Sequence, residues 1–259
     1  METHLGRMTL KEAETRLATR PVVLLPFGAQ EAHGPHLPLG ADYLVAEEIA
    51  LRASRLTDAL VAPTMPYGYT PAFRGYAGSV STRPEITQML AEDIIAALSA
   101  AGPTHFIFVD NHGGNDPALD LAARAMQARA GVHVGHFYPW KVMSGWGPEL
   151  FGGDWKAVFG HGAEPNTSVM LYLMPESVDM RYAVAGSLDP LGGRPMAGSR
   201  YVYIDGVQSQ VYIDLRRVNA SSVTGGDPRL RPDPEIGKML VDRCTKALGD
   251  FVAWFRART

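Results

Sequence analysis

The chain is poor in several features that would declare common protein classes. Its 259 residues include one cysteine, Cys244, so an internal disulfide framework is excluded and a reducing compartment is expected. Lys and Arg number 24 against 27 Asp and Glu. With no run rich in Lys or Arg, that balance leaves out the electrostatic footprint of a nucleic-acid binder. No apolar stretch approaches the roughly 20 residues a helix needs to cross a bilayer. The first ten residues, Met1-Glu-Thr-His-Leu-Gly-Arg-Met-Thr-Leu10, lack the apolar core of a signal peptide. A cytoplasmic protein with neither a membrane nor a nucleic-acid partner is expected. The 46% hydrophobic content is ordinary for a chain with a proper core. No repeat, low-complexity segment or linker divides it, so residues 1–259 read as one domain.

Three local absences are more informative. Lys and Arg are missing from residues 21–51, from 84–123 and from 158–179. Each of these stretches contains a glycine-bearing turn with histidine or acid. The first follows the apolar run Pro21-Val-Val-Leu-Leu-Pro-Phe27, which reads as a buried strand. It continues as Glu31-Ala-His-Gly-Pro-His-Leu-Pro-Leu-Gly-Ala-Asp42. Open α/β sheets place ligands at the carboxyl ends of strands. With no local cation for Glu31 and Asp42, a divalent metal would supply the charge, and mixed N/O ligands suit zinc or manganese. A solvated turn is the plain alternative for this stretch alone: His36 would then cap a carbonyl, and Asp42 would complement a helix N-terminus.

The remaining pattern alternates strand and helix. Thr9-Leu-Lys-Glu12 reads as a capping box ahead of a short helix. Residues 42–53 have helical spacing, and 60–63 form a short strand. Residues 66–81 read as a long loop or hairpin, in which Tyr67, Tyr69, Phe73, Arg74 and Tyr76 either line a substrate pocket or pack in the core. A helix is expected over residues 83–101, with Pro84 in its first turn. The strand 104–109 runs into Asp110-Asn-His-Gly-Gly-Asn115 and a further helix from Asp116. In the strand 131–137, His133 and His136 fall on opposite faces and are read as structural. Residues 138–159 read as a Gly-hinged aromatic lid or an interface, with Trp140, Trp146 and Trp155. Gly160-His-Gly-Ala-Glu-Pro-Asn-Thr-Ser168 leads into an apolar helix over 169–174. Strands are expected at 201–204 and 211–215 around Asp205-Gly206, a turn at 224–228, and a last helix over 233–256.

Three motifs then resemble the creatininase (creatinine amidohydrolase) family: Glu31-x-His-Gly-x-His-Leu-Pro-Leu-x-x-Asp42, Asn111-His-Gly-Gly-Asn115 and His161-x-x-Glu-x-x-Thr-Ser168, with a weaker Gly225-Gly-Asp-Pro228. The resemblance spans nearly the whole chain, from about residue 9 to 255. The resemblance implies an α/β/α sandwich with a mostly parallel central sheet, two divalent ions per subunit and a homo-oligomer, commonly a hexamer. Glu31, His33, Asp42 and His112 match family metal ligands, with Asp42 as the bridge. His161 matches the family's proton carrier. Creatininase itself has a glutamate where this chain has Gly114, and Glu164 is assigned as the ligand in its place, with a part in catalysis. His36, Asn111, Gly113, Gly114, Asn115, Tyr67, Tyr76 and Trp155 are expected around the ions or the substrate. Asn166 stands where the third motif often has an acid. The absence of both acids argues against creatinine as the substrate.

The resulting expectation is a metal-dependent hydrolase of a small molecule. Zinc is the first choice, with manganese or iron as alternatives. It would cleave a non-peptide C–N bond in a cyclic amide or formamide, through a metal-bridging hydroxide with His161 moving the proton. Alternatives are C–C cleavage in a cyclic ketone such as an oxidised inositol, a peptidase-like role in peptide-cofactor maturation, and, last, a non-enzymatic metal-binding protein.

Overall fold

Short Val/Leu/Phe runs alternate with amphipathic helices, and the computed structural model, which describes residues 2–258, folds them into three layers. In chain order the elements are α1 (Leu10–Leu17), β1 (Val22–Phe27), α2 (Ala41–Leu56), β2 (Leu60–Val61), α3 (Pro84–Ser99), β3 (His105–Asp110), α4 (Asp116–Ala130) and β4 (His133–Phe137). There follow α5 (Pro139–Ser144), α6 (Gly147–Phe151), α7 (Trp155–Val158), β5 (Gly160–His161) and α8 (Asn166–Leu173). The chain closes with β6 (Met196–Ala197), β7 (Tyr201–Ile204), β8 (Val207–Gln210), β9 (Thr224–Gly225) and α9 (Pro234–Arg258). Thr9 and Glu12 form the expected reciprocal capping box at α1.

The central sheet has the order β2-β1-β3-β4, and its three pairings are all parallel. Every residue of β1 is buried. That is why its sequence is a continuous apolar run rather than an alternation. Val22 and Leu24 on β1, with Ile107 and Val109 on β3, pack under Val45 and Ile49 of α2 and Leu240, Cys244 and Leu248 of α9. Val23, Leu25 and Phe27, with Phe106 and Phe108, pack under Ala91 and Ile95 of α3 and Leu119 and Met126 of α4. Each large side chain so buried stabilises the fold by about 1.5–3 kcal/mol. Cys244 lies wholly inside the first of these layers, and burial pushes its thiol pKa up, so it is chemically quiet.

Two segments differ from the sequence expectation. Residues 138–159 are three short helices with Trp140, Met143 and Phe151 buried, rather than an open loop. Prolines in the first turns of α5 and α6 start these helices. Gly152 at φ 75° then breaks the chain after α6. The strand after β7 is residues 207–210, not 211–215. Asp205 (φ 49°) and Gly206 (φ 79°) form a two-residue turn, so Ile204 pairs with Val207 at once. Tight turns with two left-handed residues demand immediate pairing. The exposed and mostly polar Val207-Gln-Ser-Gln210 carries little strand signal of its own.

Candidate metal centre

The carboxyl ends of β1 and β3 stand side by side in the sheet, with Phe27 opposite Asp110. Glu31 and His33 follow β1, and His112 follows β3. Asp42 comes from the first turn of α2. The approach of α2 depends on Gly28, where a Cβ would lie 2.4 Å from the Tyr43 backbone nitrogen. The loop between β1 and α2 closes on itself through the Glu31 amide, which donates to the Leu39 carbonyl at 2.9 Å.

Glu31, His33 and Asp42 are buried to within 2% exposure and His112 to 7%. His112 Nδ1 lies 3.4 Å from Glu31 Oε2 and 3.2 Å from Asp42 Oδ2. His33 Nε2 lies 3.1 Å from Asp42 Oδ1 and 3.7 Å from Glu31 Oε1. His161 Nδ1 reaches Glu31 Oε1 at 3.8 Å, with its ring stacked between His33 and Phe73. Two overlapping sets, Glu31-Asp42-His112 and Glu31-His33-His161, each place three ligand atoms within 4.8 Å of one another.

The hydrogen bonds on the far side of each ring explain what this geometry suits. His112 Nε2 meets the Tyr69 carbonyl at 3.0 Å, His33 Nδ1 the Glu31 carbonyl at 3.2 Å, and His161 Nε2 the Ala32 carbonyl at 2.9 Å. A carbonyl only accepts, so each of these nitrogens is the protonated one. In a neutral ring the other nitrogen presents a lone pair, and all three face carboxylates. Lone pairs facing carboxylates need a cation between them, and carbonyl-anchored imidazoles are the usual support of metal ligands. Asp42 Oδ2 is a buried oxygen that accepts no hydrogen bond. The residues therefore fit a divalent ion.

Protons are the alternative source of positive charge. Burial opposes the charge of His33, but Asp42 and Glu31 outweigh it and lift the imidazole to about 9. His112 is raised well above the ordinary histidine range, against burial, by the same two acids. Asp42 is held far below the carboxylate range, again against burial, by His33 and His112. For protein stripped of metal, folding therefore retains the His33 proton to about 9, whereas an unfolded chain releases it near 6.5. This stabilisation is complete below about pH 6.5 and lost as pH rises through about 9, a loss of roughly 3 kcal/mol. Glu164, which burial lifts to about 8, acts in the same direction. Denaturant titrations in chelator should thus give lower stability at pH 9 than at pH 6.5. Equal or greater stability at pH 9 would contradict the proton-for-metal exchange at these rings.

The other expected residues divide. Asn111 Oδ1 accepts from the Trp140 amide at 2.7 Å. Asn115 receives the Tyr69 amide at 2.9 Å and donates to the Gly28 carbonyl at 3.1 Å. Both hold loops that carry ligands. Gly113 and Gly114 line the cavity above the cluster. Glu164 lines it too, but its carboxylate accepts from the Ser168 hydroxyl at 2.9 Å and from the Ser168 amide at 3.2 Å, and it joins neither ligand set. His36 is buried against the Thr167 hydroxyl at 3.1 Å; burial and the charge of His33 push it down to about 4. Tyr67, Tyr76 and Trp155 are not part of the cavity wall. Tyr67 is half-exposed, Tyr76 donates to the Asn219 carbonyl at 2.8 Å, and Trp155 packs edge-on against Phe159.

Two contributors were not assigned from the sequence. Thr70 donates a short hydrogen bond to Glu31 Oε2. Trp140, expected in a lid, is buried, and its indole N–H donates to Asp42 Oδ1 at 2.8 Å. No motif marks either residue, because each reaches the site only through tertiary packing. Trp140→Phe should keep the packing and weaken metal binding about 10- to 100-fold. Equal metal affinity in that variant, read by competition with a chelating dye, would remove Trp140 from this role.

A cavity of about 940 Å³ opens over the cluster, walled by Phe73, Tyr138 and Phe159, with Arg74, Arg200 and Tyr212 also contributing. The sequence profile of the Creatininase family, described as creatinine amidohydrolase, matches residues 6–252. A curated relative, the mycofactocin precursor peptide peptidase of Mycobacterium ulcerans (strain Agy99), is 30% identical over 196 residues, 72% of each chain. The creatinine amidohydrolase of Pseudomonas putida is 30% identical over 197 residues, 68% of this chain and 73% of that one. A solved structure described as a mutant creatininase of Zn-Zn type superposes with a TM-score of 0.76 at 25% identity. The match covers 98% of this chain and 99% of the other.

Proposed function

The chain belongs to the creatininase family, and from that premise we propose that it hydrolyses an amide C–N bond in an extended, peptide-like substrate. The cavity of about 940 Å³ carries the reading. Pockets for drug-sized ligands run to about 300–1,000 Å³, and a single small lactam ring would leave most of this space to water. The peptidase named among the relatives supports the same size class. Arg74 and Arg200 at the wall suit an anionic end of such a substrate.

In this reading Glu31, Asp42 and His112 would hold one divalent ion. His33 and Asp42 would hold a second, which Glu164 would join on leaving its Ser168 hydrogen bonds. Without metal, burial keeps Glu164 a neutral acid to about 8, and a nearby cation would ionise it. Zinc and manganese both match the mixed N/O donors. Two such ions would supply Lewis-acid polarisation of the scissile carbonyl and a water activated at neutral pH.

The chain's own groups do the rest. His161 Nε2–H is held by the Ala32 carbonyl, so Nδ1 is the basic nitrogen beside Glu31. Burial pushes the ring below the ordinary histidine range, so it rests neutral with a lone pair on Nδ1 that can take a proton. It takes that proton from the attacking water and returns it to the leaving nitrogen. Phe73 fixes the ring by stacking at 4.2 Å. Phe73, Tyr138 and Phe159 give the cavity apolar patches against which a substrate can pack.

The test is a product screen on metal-loaded protein with creatinine, small lactams, formamides, cyclic ketones and peptides of graded length. Released amine from peptides, at a kcat/KM well above that for lactams, is the expected result. Comparable turnover of creatinine or lactams would overturn the substrate class, and ring opening without amine would overturn C–N cleavage. In the same assay His161→Ala should keep its metal content and lose about 10²- to 10⁴-fold in kcat. Loss of one ion in that variant would make His161 a ligand instead.

A further inference from the structure

A second group of metal-ligating side chains lies on the α4 side of the sheet and takes no part in the chemistry above. Residues two apart on a strand share a face, so Asp110 points to the same side as Phe108, into the layer under α3 and α4. There it approaches His136, at the end of β4, and Asp116, at the start of α4. His136 Nε2 lies 3.7 Å from Asp110 Oδ2 and 3.7 Å from Asp116 Oδ1. One ligand atom from each of the three residues lies within 4.8 Å of the other two.

The decisive atom is Asp110 Oδ2. Asp110 is wholly buried, and its Oδ1 accepts from the His112 amide at 3.3 Å and the Asn115 side chain at 3.0 Å. Oδ2 accepts no hydrogen bond, although it is buried. The imidazole is too distant to donate to either carboxylate. Ligand atoms around a divalent ion with bonds of about 2.1 Å stand roughly 3–4.3 Å apart, a range that holds both 3.7 Å separations from His136. A cavity of about 290 Å³ lined by Asp116, His136 and Tyr138 adjoins the group and leaves room for coordinating water. Lys141 also lines this cavity. Its side chain is exposed and extends from α5, so it competes from the solvent side rather than from within.

We propose that Asp110, Asp116 and His136 form a further divalent-cation site, separate from the Glu31-Asp42-His112 centre and suited to zinc or manganese. The ion ties the end of β3 to the starts of α4 and α5 through the end of β4. By holding Asp110 Oδ2 it braces the carboxylate whose other oxygen positions the His112 amide. The site is therefore structural, supporting the loop that carries His112 at the edge of the larger cavity, which Asp116 also lines.

The experiment uses full-length protein carrying His33→Ala and Asp42→Asn, which disables the other centre. Zn²⁺ uptake is measured by equilibrium dialysis with metal analysis, beside the thermal midpoint. One ion per chain and a raised midpoint are expected. Adding His136→Ala should abolish both, and Asp116→Asn should weaken uptake about tenfold or more. Asp116 is exposed, so its variant decides the matter if His136→Ala fails to fold. No uptake by the doubly substituted protein, or uptake indifferent to Asp116 and His136, overturns the proposal. A wild-type protein whose only ion depends on Asp116 and His136 would overturn the hydrolytic reading and leave this site standing.

Discussion

Replacing His112 by alanine is expected to abolish hydrolysis and ion binding at Glu31 and Asp42 together, with the fold retained. The imidazole faces both acids at close range, 3.4 Å and 3.2 Å, and with the His33 ring it supplies their nitrogen partners. Its loss leaves two buried carboxylates with His33 as their remaining close cationic partner. Removing one partner of a buried charge pair costs about 3–5 kcal/mol when nothing replaces it. Protonation of an acid relieves that cost, and a protonated acid is a poor ligand. The expected fall in kcat/KM is on the order of 10⁴-fold or more, which corresponds to about 5.5 kcal/mol of transition-state stabilisation. Metal analysis on the same preparation separates the causes. A variant that keeps both ions and is merely slow would show that His112 is not a ligand, and the two-ion reading would fail with it.

Gly114→Glu should be nearly as damaging, although creatininase itself has a glutamate at the matching point of the motif. A Cβ on Gly114 would stand 2.1 Å from the Tyr69 carbonyl oxygen and 2.3 Å from His112 Nε2. These two atoms form the hydrogen bond that aims His112 at the acids. A side chain there must break that bond or push the residue 69 loop away. The variant is thus expected to lose metal affinity at least 10- to 100-fold rather than gain a ligand. Gly114→Ala should show most of the same loss, because the clash begins at Cβ. If Gly114→Glu instead binds a second ion more tightly, the loop is compliant and Glu164 is dispensable as a ligand. Differential scanning with and without Zn²⁺ would report either result.

Much of the architecture was legible in the chain because it follows from local rules. A strand buried on both faces must read as an unbroken apolar run, and β1 does. The capping box at Thr9, the proline in the first turn of α3 and the glycine turns after β1 and β3 each act within a few residues. The hairpin at Asp205-Gly206 was visible for the same reason, but its second strand was not. β8 is solvated on both sides, and no burial pattern is imposed on it.

The site was legible to the same depth. Glu31, His33, Asp42 and His112 stand in basic-poor turns after strands, and parallel pairing carries those turns to one edge. What the sequence determined by itself was which side chains these turns bring together, the three-layer fold that gathers them and the family the chain belongs to. The tertiary structure alone decided how each donor is aimed. The backbone carbonyls of Tyr69, Glu31 and Ala32 select which ring nitrogen faces inward, and Trp140, nearly a hundred positions from Asp42, anchors the shared carboxylate. It also left Glu164 bonded to Ser168 and put Tyr67, Tyr76 and Trp155 outside the cavity. Motif spacing encodes which side chains share a turn. The direction of a hydrogen bond across the core depends on packing between segments far apart in the chain, and no local pattern records it.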